Sequence, residues 1–183
     1  MKIKMIIISI WLIVVIPSLT YALFVDRIPS TGNTFTSTTL ETNIVPEFTP
    51  PIVRTLTYEQ PISFSFALYN IGELQSKNNI YVVDISNSEL ASVIDVQVIL
   101  DDTTTIYTGK LDTLLINSYL TQNNGDSNKV SFRFSISETD YNNALNKDLS
   151  FRIQNHAWQS TLEYGKGFFD NEYIEVNFIE STT

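Results

Sequence analysis

The 183-residue chain has no cysteine and one histidine. The first absence removes thiol catalysis, disulfides and thiolate metal sites. The second leaves His156 without the partner imidazole that a zinc hydrolase motif needs, and no H-E-x-x-H occurs. G-x-S-x-G, the P-loop and G-x-G-x-x-G are missing too, so the chain reads as a non-enzyme with no cofactor and no metal. Basic residues are scarce, 11 Lys and Arg against 20 Asp and Glu, for a net charge of -9. Nucleic acid is therefore not an expected partner, because phosphate recognition needs clustered cations. The same balance disfavours anionic membrane surfaces and suits a soluble exported protein.

What is present begins at the N-terminus. Lys2 and Lys4 precede "MIIISIWLIVVI", Met5 to Ile16, and "LTYA" ends at Ala22. Basic, apolar and small-residue regions in that order describe a secretory signal over 1–22, with cleavage after Ala22. Cleavage would remove two lysines and no acid, leaving the mature chain more acidic still. An uncleaved anchor is the rival reading, but the strict apolar run is shorter than the roughly 20 residues a bilayer needs. The membrane then enters only through this segment, and the expected location is secreted, extracellular or at the cell surface.

Period-two alternation dominates the rest of the chain. Ile62, Phe64, Phe66 and Leu68 share one strand face, and Val130, Phe132, Phe134 and Ile136 share another. Leu149, Phe151 and Ile153, then Ile174, Val176 and Phe178, repeat the pattern with polar residues between. Further strands are expected over 35–45, 79–86, 92–101 and 104–108. Turn chemistry separates them at "YNIGE", "DDTT", "QNNGD" and "YGKG". "VPEFTPP" reads as an irregular connection, and "SETDYNNALN" as a short helix capped by Ser137. Residues 110–120 fit helix or strand equally. The sum is an all-β protein: an antiparallel β-sandwich of Greek-key or jelly-roll type, with one or two short helices.

Candidate chemistry is sparse. Asp101 and Asp102 offer oxygens to Ca²⁺, but two adjacent acids more often make a turn than the six to eight ligands calcium takes. The alternating phenylalanines read as core, not as a carbohydrate platform. Trp158 lies outside that alternation, and packing is the reading favoured for it.

One stretch remains, "LFVDRIPSTGNTFTSTTLE" from Leu23 to Glu41. Its first six residues, Leu23, Phe24, Val25, Asp26, Arg27 and Ile28, extend about 20 Å as a strand. Pro29 stops a ladder there, and the segment through Gly32 to Asn33 serves as a hinge. A sandwich with an unfilled strand position would accept such a segment from a neighbour through main-chain bonds. A contact of that kind does not close on itself and builds filaments.

Three stretches together resemble the TasA and camelysin family of exported matrix-fibre and bundling-pilus subunits. "ALFVDR" with "STGNTFTSTTLE" is similar to the family's A-F-x-D tip and T-G-N-T-F-x-A-G-T-L-D-L run, through Ala22, Phe24, Asp26, Thr31 to Phe35, Thr39, Leu40 and Glu41. "LTYEQPISFSFALYNIGELQSKNNIYV" resembles its strand, Asn-x-Gly, strand unit, and "LNKDLSFRIQNHAWQ" its late L-x-F-x-F-x-A-T-Q strand. Ser37 and Thr38 stand where the family has Ala-Gly, and "YEQP" where it has a P-G-D turn. The resemblance implies a jelly-roll domain over 34–183 whose tip, 23–33, inserts into the next copy, giving a homopolymer of biofilm-matrix fibres or pili. Two other functions remain open: a camelysin-like surface protease using His156, and a membrane-anchored adhesion or binding domain.

Overall fold

A computed structural model describes residues 38–143 and 147–179. The donor segment 23–28, its hinge at Pro29 and Gly32, and the cleavage position Ala22 lie outside the described residues. Among the described residues ten strands form: β1 (Thr42–Pro46), β2 (Ile52–Thr55), β3 (Ile62–Asn70), β4 (Ser76–Val83), β5 (Asp95–Leu100), β6 (Thr104–Lys110), β7 (Leu115–Gln122), β8 (Ser127–Ser135), β9 (Leu149–Gln159) and β10 (Phe169–Ile179). They build two five-stranded sheets, ordered β1-β3-β8-β5-β6 and β2-β10-β9-β4-β7. All pairings are antiparallel except β2 with β10, which is parallel.

This is the expected all-β sandwich, wired in the Greek-key manner of immunoglobulin domains. β1, β3, β8 and β5 take the order of the four-stranded sheet there, and β4, β9 and β10 that of the three-stranded one. The N-terminal strand crosses between sheets: β1 closes the first, and β2 closes the second beside β10. Between them lies "EFTPP", where the Pro50–Pro51 peptide is cis. β10 sits hydrogen-bonded between β9 and β2, so neither sheet has an interior gap. The unfilled position that the sequence suggested is thus absent from the sheets that residues 42–179 form.

Alternation puts the phenylalanines where it should. Phe64, Phe66, Phe132, Phe134, Phe151 and Phe178 are all buried. Across the two sheets, the Phe134 ring meets Phe178 at 5.2 Å and Phe151 at 6.0 Å. Burying such rings supplies roughly 1.5–3 kcal/mol each, with edge-to-face contacts adding to it.

Several boundaries differ from expectation. Of the strand expected over 35–45, the described residues from 38 on hold Thr42–Pro46, because the backbone of Thr39 and Glu41 is bonded to the turn after β3 instead of to a strand. Glu41 O accepts the N–H groups of Ile71 and Gly72 at 3.0 and 2.9 Å, and Thr39 O accepts that of Leu74 at 3.0 Å. Gly72 is required there, since a Cβ would overlap Glu41 N and Thr39 O.

The start of the expected 92–101 strand belongs to helix α1, Ser88–Val93, capped by Asn87 Oδ1 accepting Leu90 N–H at 3.0 Å. The ambiguous 110–120 run is a 3-10 turn at Leu111–Thr113 followed by β7. The capped helix appears as α2, Glu138–Asn143, with Ser137 Oγ accepting Asp140 N–H at 3.1 Å and donating to Asp140 Oδ2 at 2.7 Å.

Candidate functional site

The outer face of the second sheet carries the most unusual surface. Register aligns its outward side chains in rows across β4, β9 and β10. Lys77, Trp158 and Phe169 make one row; Asn79, His156 and Asn171 the next; then Tyr81, Gln154 and Tyr173. Side chains opposed in this way share a face and touch. Polar residues belong on a solvated face, yet Phe169 and Tyr173 are 64% and 58% exposed.

The connection between β9 and β10 folds back over this face. It turns at Gly165, whose φ of 79° is left-handed and favours glycine. Tyr164 is thereby laid against Trp158 and His156, at ring distances of 5.3 and 5.4 Å. Trp158 is only 4% exposed as a result; it packs, as the sequence indicated, but on the outside of the sheet and not in the core. Tyr164 itself is 62% exposed. It forms one wall of an open cleft of ≈ 680 Å³, whose other sides include Asn79, Tyr81, Asp112, Leu115 and Asn117. Partial burial, and secondly the neighbouring Tyr164, raise the Tyr81 hydroxyl above its ordinary pKa.

The lone histidine sits inside this surface. Asn171 Oδ1 accepts a bond from Gln154 Nε2 at 2.9 Å and lies 2.7 Å from His156 Nδ1. An amide oxygen only accepts, so His156 carries a proton on Nδ1 and turns Nε2 into the acceptor of its neutral form. The histidine's ring also stacks on Trp158 at 6.1 Å and lies 5.8 Å from Phe169. Among the described residues no three His, Cys, Asp or Glu side chains converge to hold a metal ion.

Asp101 and Asp102 form the β5–β6 hairpin turn, both with positive φ, 50° and 57°, as a type I′ turn demands. Asp101 accepts from Asn128 Nδ2 and Lys129 N–H at 2.7 and 2.8 Å, and Asp102 from Lys129 Nζ and Ser131 Oγ at 3.2 and 3.3 Å. These carboxylates pin the turn to β8. The structure gives them a structural task.

The sequence singled out 22–29 and 32 as candidate functional residues, and did not single out the exposed aromatic surface of Tyr81, Tyr164, Phe169 and Tyr173. A signal was available: Phe169 and Tyr173 fall on the opposite phase of β10 from Ile174, Val176 and Phe178, so aromatic residues were already assigned to the wet side.

No protein-family model and no curated protein sequence matches the chain. Among solved structures, it is similar to AggA, the major subunit of aggregative adherence fimbriae type I from Escherichia coli, at 9% identity and a TM-score of 0.46, covering 80% of this chain and 98% of that one. It is also similar to AvmM, which catalyses macrocyclization in alchivemycin A biosynthesis, at 9% identity, a TM-score of 0.45 and coverage of 79% and 90%. The PapD-like domain 7 of human CEP192 is similar at 10% identity, a TM-score of 0.43 and coverage of 78% and 87%.

Proposed function

We propose that this chain is an exported, non-enzymatic structural subunit that polymerises outside the cell into biofilm-matrix fibres or pili. In this reading Leu23–Ile28 of one copy adds as a strand to a sheet edge of the next, with Pro29 to Gly32 as the hinge.

The observation that carries the reading is the self-sufficiency of the sandwich. Residues 42–179 alone supply two continuous sheets, so the half-apolar segment before them is not needed to complete either. The clamp of Thr39 and Glu41 on the turn at Asn70–Leu74 gives that segment a fixed point of departure. Because the sheets have no interior gap, the accepting site is an outer edge: β1 or β6 on the first sheet, β2 or β7 on the second. Edge strands present unpaired N–H and C=O groups that template another strand.

Deletion of 23–29 tests this. The expected product is a folded monomer that forms no filaments under the electron microscope; filaments from the truncated chain would remove the donor-strand reading. N-terminal sequencing of the exported protein should begin at Leu23. A start at Met1 would favour the membrane-anchored adhesion domain instead. Among the described residues no helix is long and apolar enough to cross a membrane.

A further inference from the structure

We infer that the outer face of the second sheet is a binding site for a neutral polysaccharide chain. Such binding is independent of assembly through the N-terminal segment and survives its failure.

The face alternates two kinds of group. Tyr81 and Tyr173 flank Gln154 in one row, about 10 Å apart at two strand spacings. Asn171 lies beside His156 in the next, while Asn79 on the other side is buried and its Oδ1 accepts Ser118 N–H at 2.6 Å. Tyr164 bridges this strip to the cleft of ≈ 680 Å³, where Asp112 and Asn117 add hydrogen-bonding groups. Ligand sites of that size combine apolar walls with a few placed polar groups. A sugar ring has the matching chemistry, with a C–H face that lies on an aromatic ring and a hydroxyl rim that exchanges hydrogen bonds with amides, carboxylates and an imidazole acceptor.

Charge narrows the class. Asp112 is the carboxyl-bearing residue lining the cleft, and Glu175 lies beyond Tyr173 on β10. Of the cations nearby, Arg152 is paired with Asp84 at 2.8 Å and covers the Tyr173 ring at 4.9 Å. Lys166 is paired with Glu163 at 2.9 Å. An acidic polymer would meet the Asp112 and Glu175 carboxylates with Arg152 and Lys166 already engaged, leaving Lys77, at the Trp158 end of the face, as a counter-charge, whereas an uncharged polymer loses nothing. The recurring hydroxyl, amide and imidazole groups between the rings likewise suit a hydroxyl-rich ligand better than the charge-depleted apolar centre of a protein interface.

The test is affinity electrophoresis of the full chain in gels containing hydroxyethyl cellulose or alginate, with titration calorimetry against cellohexaose and the hexamer of N-acetylglucosamine. Hydroxyethyl cellulose should retard the protein, alginate should not, and at least one hexamer should bind. Tyr164→Ala and Tyr173→Ala should each weaken binding about tenfold, the scale of one ring contact and its buried area. Tyr58→Ala, an exposed ring tilted against Tyr141 at 5.3 Å away from this face, should change nothing. The three tyrosines are exposed enough for folding to persist, which a melting curve checks. Absence of binding to every neutral probe, preference for alginate, or equal losses in all three variants would overturn the inference. Dimerisation abolished by Tyr164→Ala, without sugar binding, would overturn it too and assign the face to a second copy.

Discussion

The interior of the sandwich has two ends built from different chemistry. At one, the rings of Phe64, Phe132, Phe151 and Phe178 from both sheets pack around Phe134, with Phe66 against Phe132. At the other, the space between the sheets is filled by amides and hydroxyls: Asn70, Ser76, Asn78, Gln122 and Asn155 are all buried. Asn155 Nδ2 donates to Asn78 Oδ1 at 3.1 Å, and Tyr119 Oη donates to Asn155 Oδ1 at 3.1 Å. Gln122 Nε2 donates to Leu68 O at 2.9 Å, and Asn70 Nδ2 to Leu74 O at 2.8 Å. Among the described residues no buried side-chain nitrogen or oxygen lacks a partner.

Stability resides mainly at the first end and specificity at the second. Rings gain free energy by leaving water, in any register that buries them. Amides gain little net, but an unmatched one is expensive, so the amide end admits one register only. It is also where Thr39 and Glu41 are clamped, and where Trp158 and Tyr164 pack outside.

The largest expected effect breaks the phenyl end. Phe134→Ala removes a ring in contact with four others and should cost about 3–5 kcal/mol in urea unfolding. At the amide end, Asn78→Leu keeps the branched shape in a somewhat larger side chain but strands Asn155 Nδ2, and should cost about 1–3 kcal/mol. Adding Asn155→Leu should recover little of that loss, because it sets two apolar groups together but strands the buried Tyr119 hydroxyl that donates to Asn155 Oδ1. A double variant worse than the sum would show that the amides hold the end together as a wider network.

The difference between the ends also decides what was legible in the sequence. The phenyl end was legible because strict alternation in "ISFSF" and "VSFRFSI" fixes both strand and face. The amide end was not, although Ser76 and Asn78 share the phase of Ile80, and Asn155 that of Phe151 and Ile153. Phase identifies an inward residue, but an inward amide is tolerable only if partners from other strands converge on it, and a single sequence does not show convergence. Helix α1 escaped for another reason: six residues carry too little periodicity, and tertiary burial of Leu90 and Ala91 holds it. Tyr164 was beyond reach because its place depends on how one loop folds back.

Gly72→Ala sharpens the role of the clamp. The new methyl would press on backbone atoms of Thr39 and Glu41, which yield less readily than a side chain. A loss of about 1–3 kcal/mol is expected, with faster amide exchange at Ile71, Gly72 and Leu74, whose N–H groups make the clamp. If exchange there is unchanged, the approach of the two segments is looser than the structure has it.

The smallest effect separates the ends by pH. Glu172 opposes Asn155 in register, and its pKa is raised above 4.5 by burial first, then by Asp170 and Glu41. A raised carboxyl pKa means that the folded state holds the proton more tightly than the unfolded chain. Its contribution is therefore most favourable at low pH and is lost as pH rises from the unfolded value through the folded one. Glu172→Gln removes a charge that the folded state disfavours, so it should raise the melting temperature near neutral pH and do little at about pH 4, where the glutamate is already largely protonated. Phe134→Ala should be equally damaging at both, since nothing it touches titrates. A gain from Glu172→Gln that is the same at both pH values would mean that the effect is packing, and would remove the charge-based account of this corner.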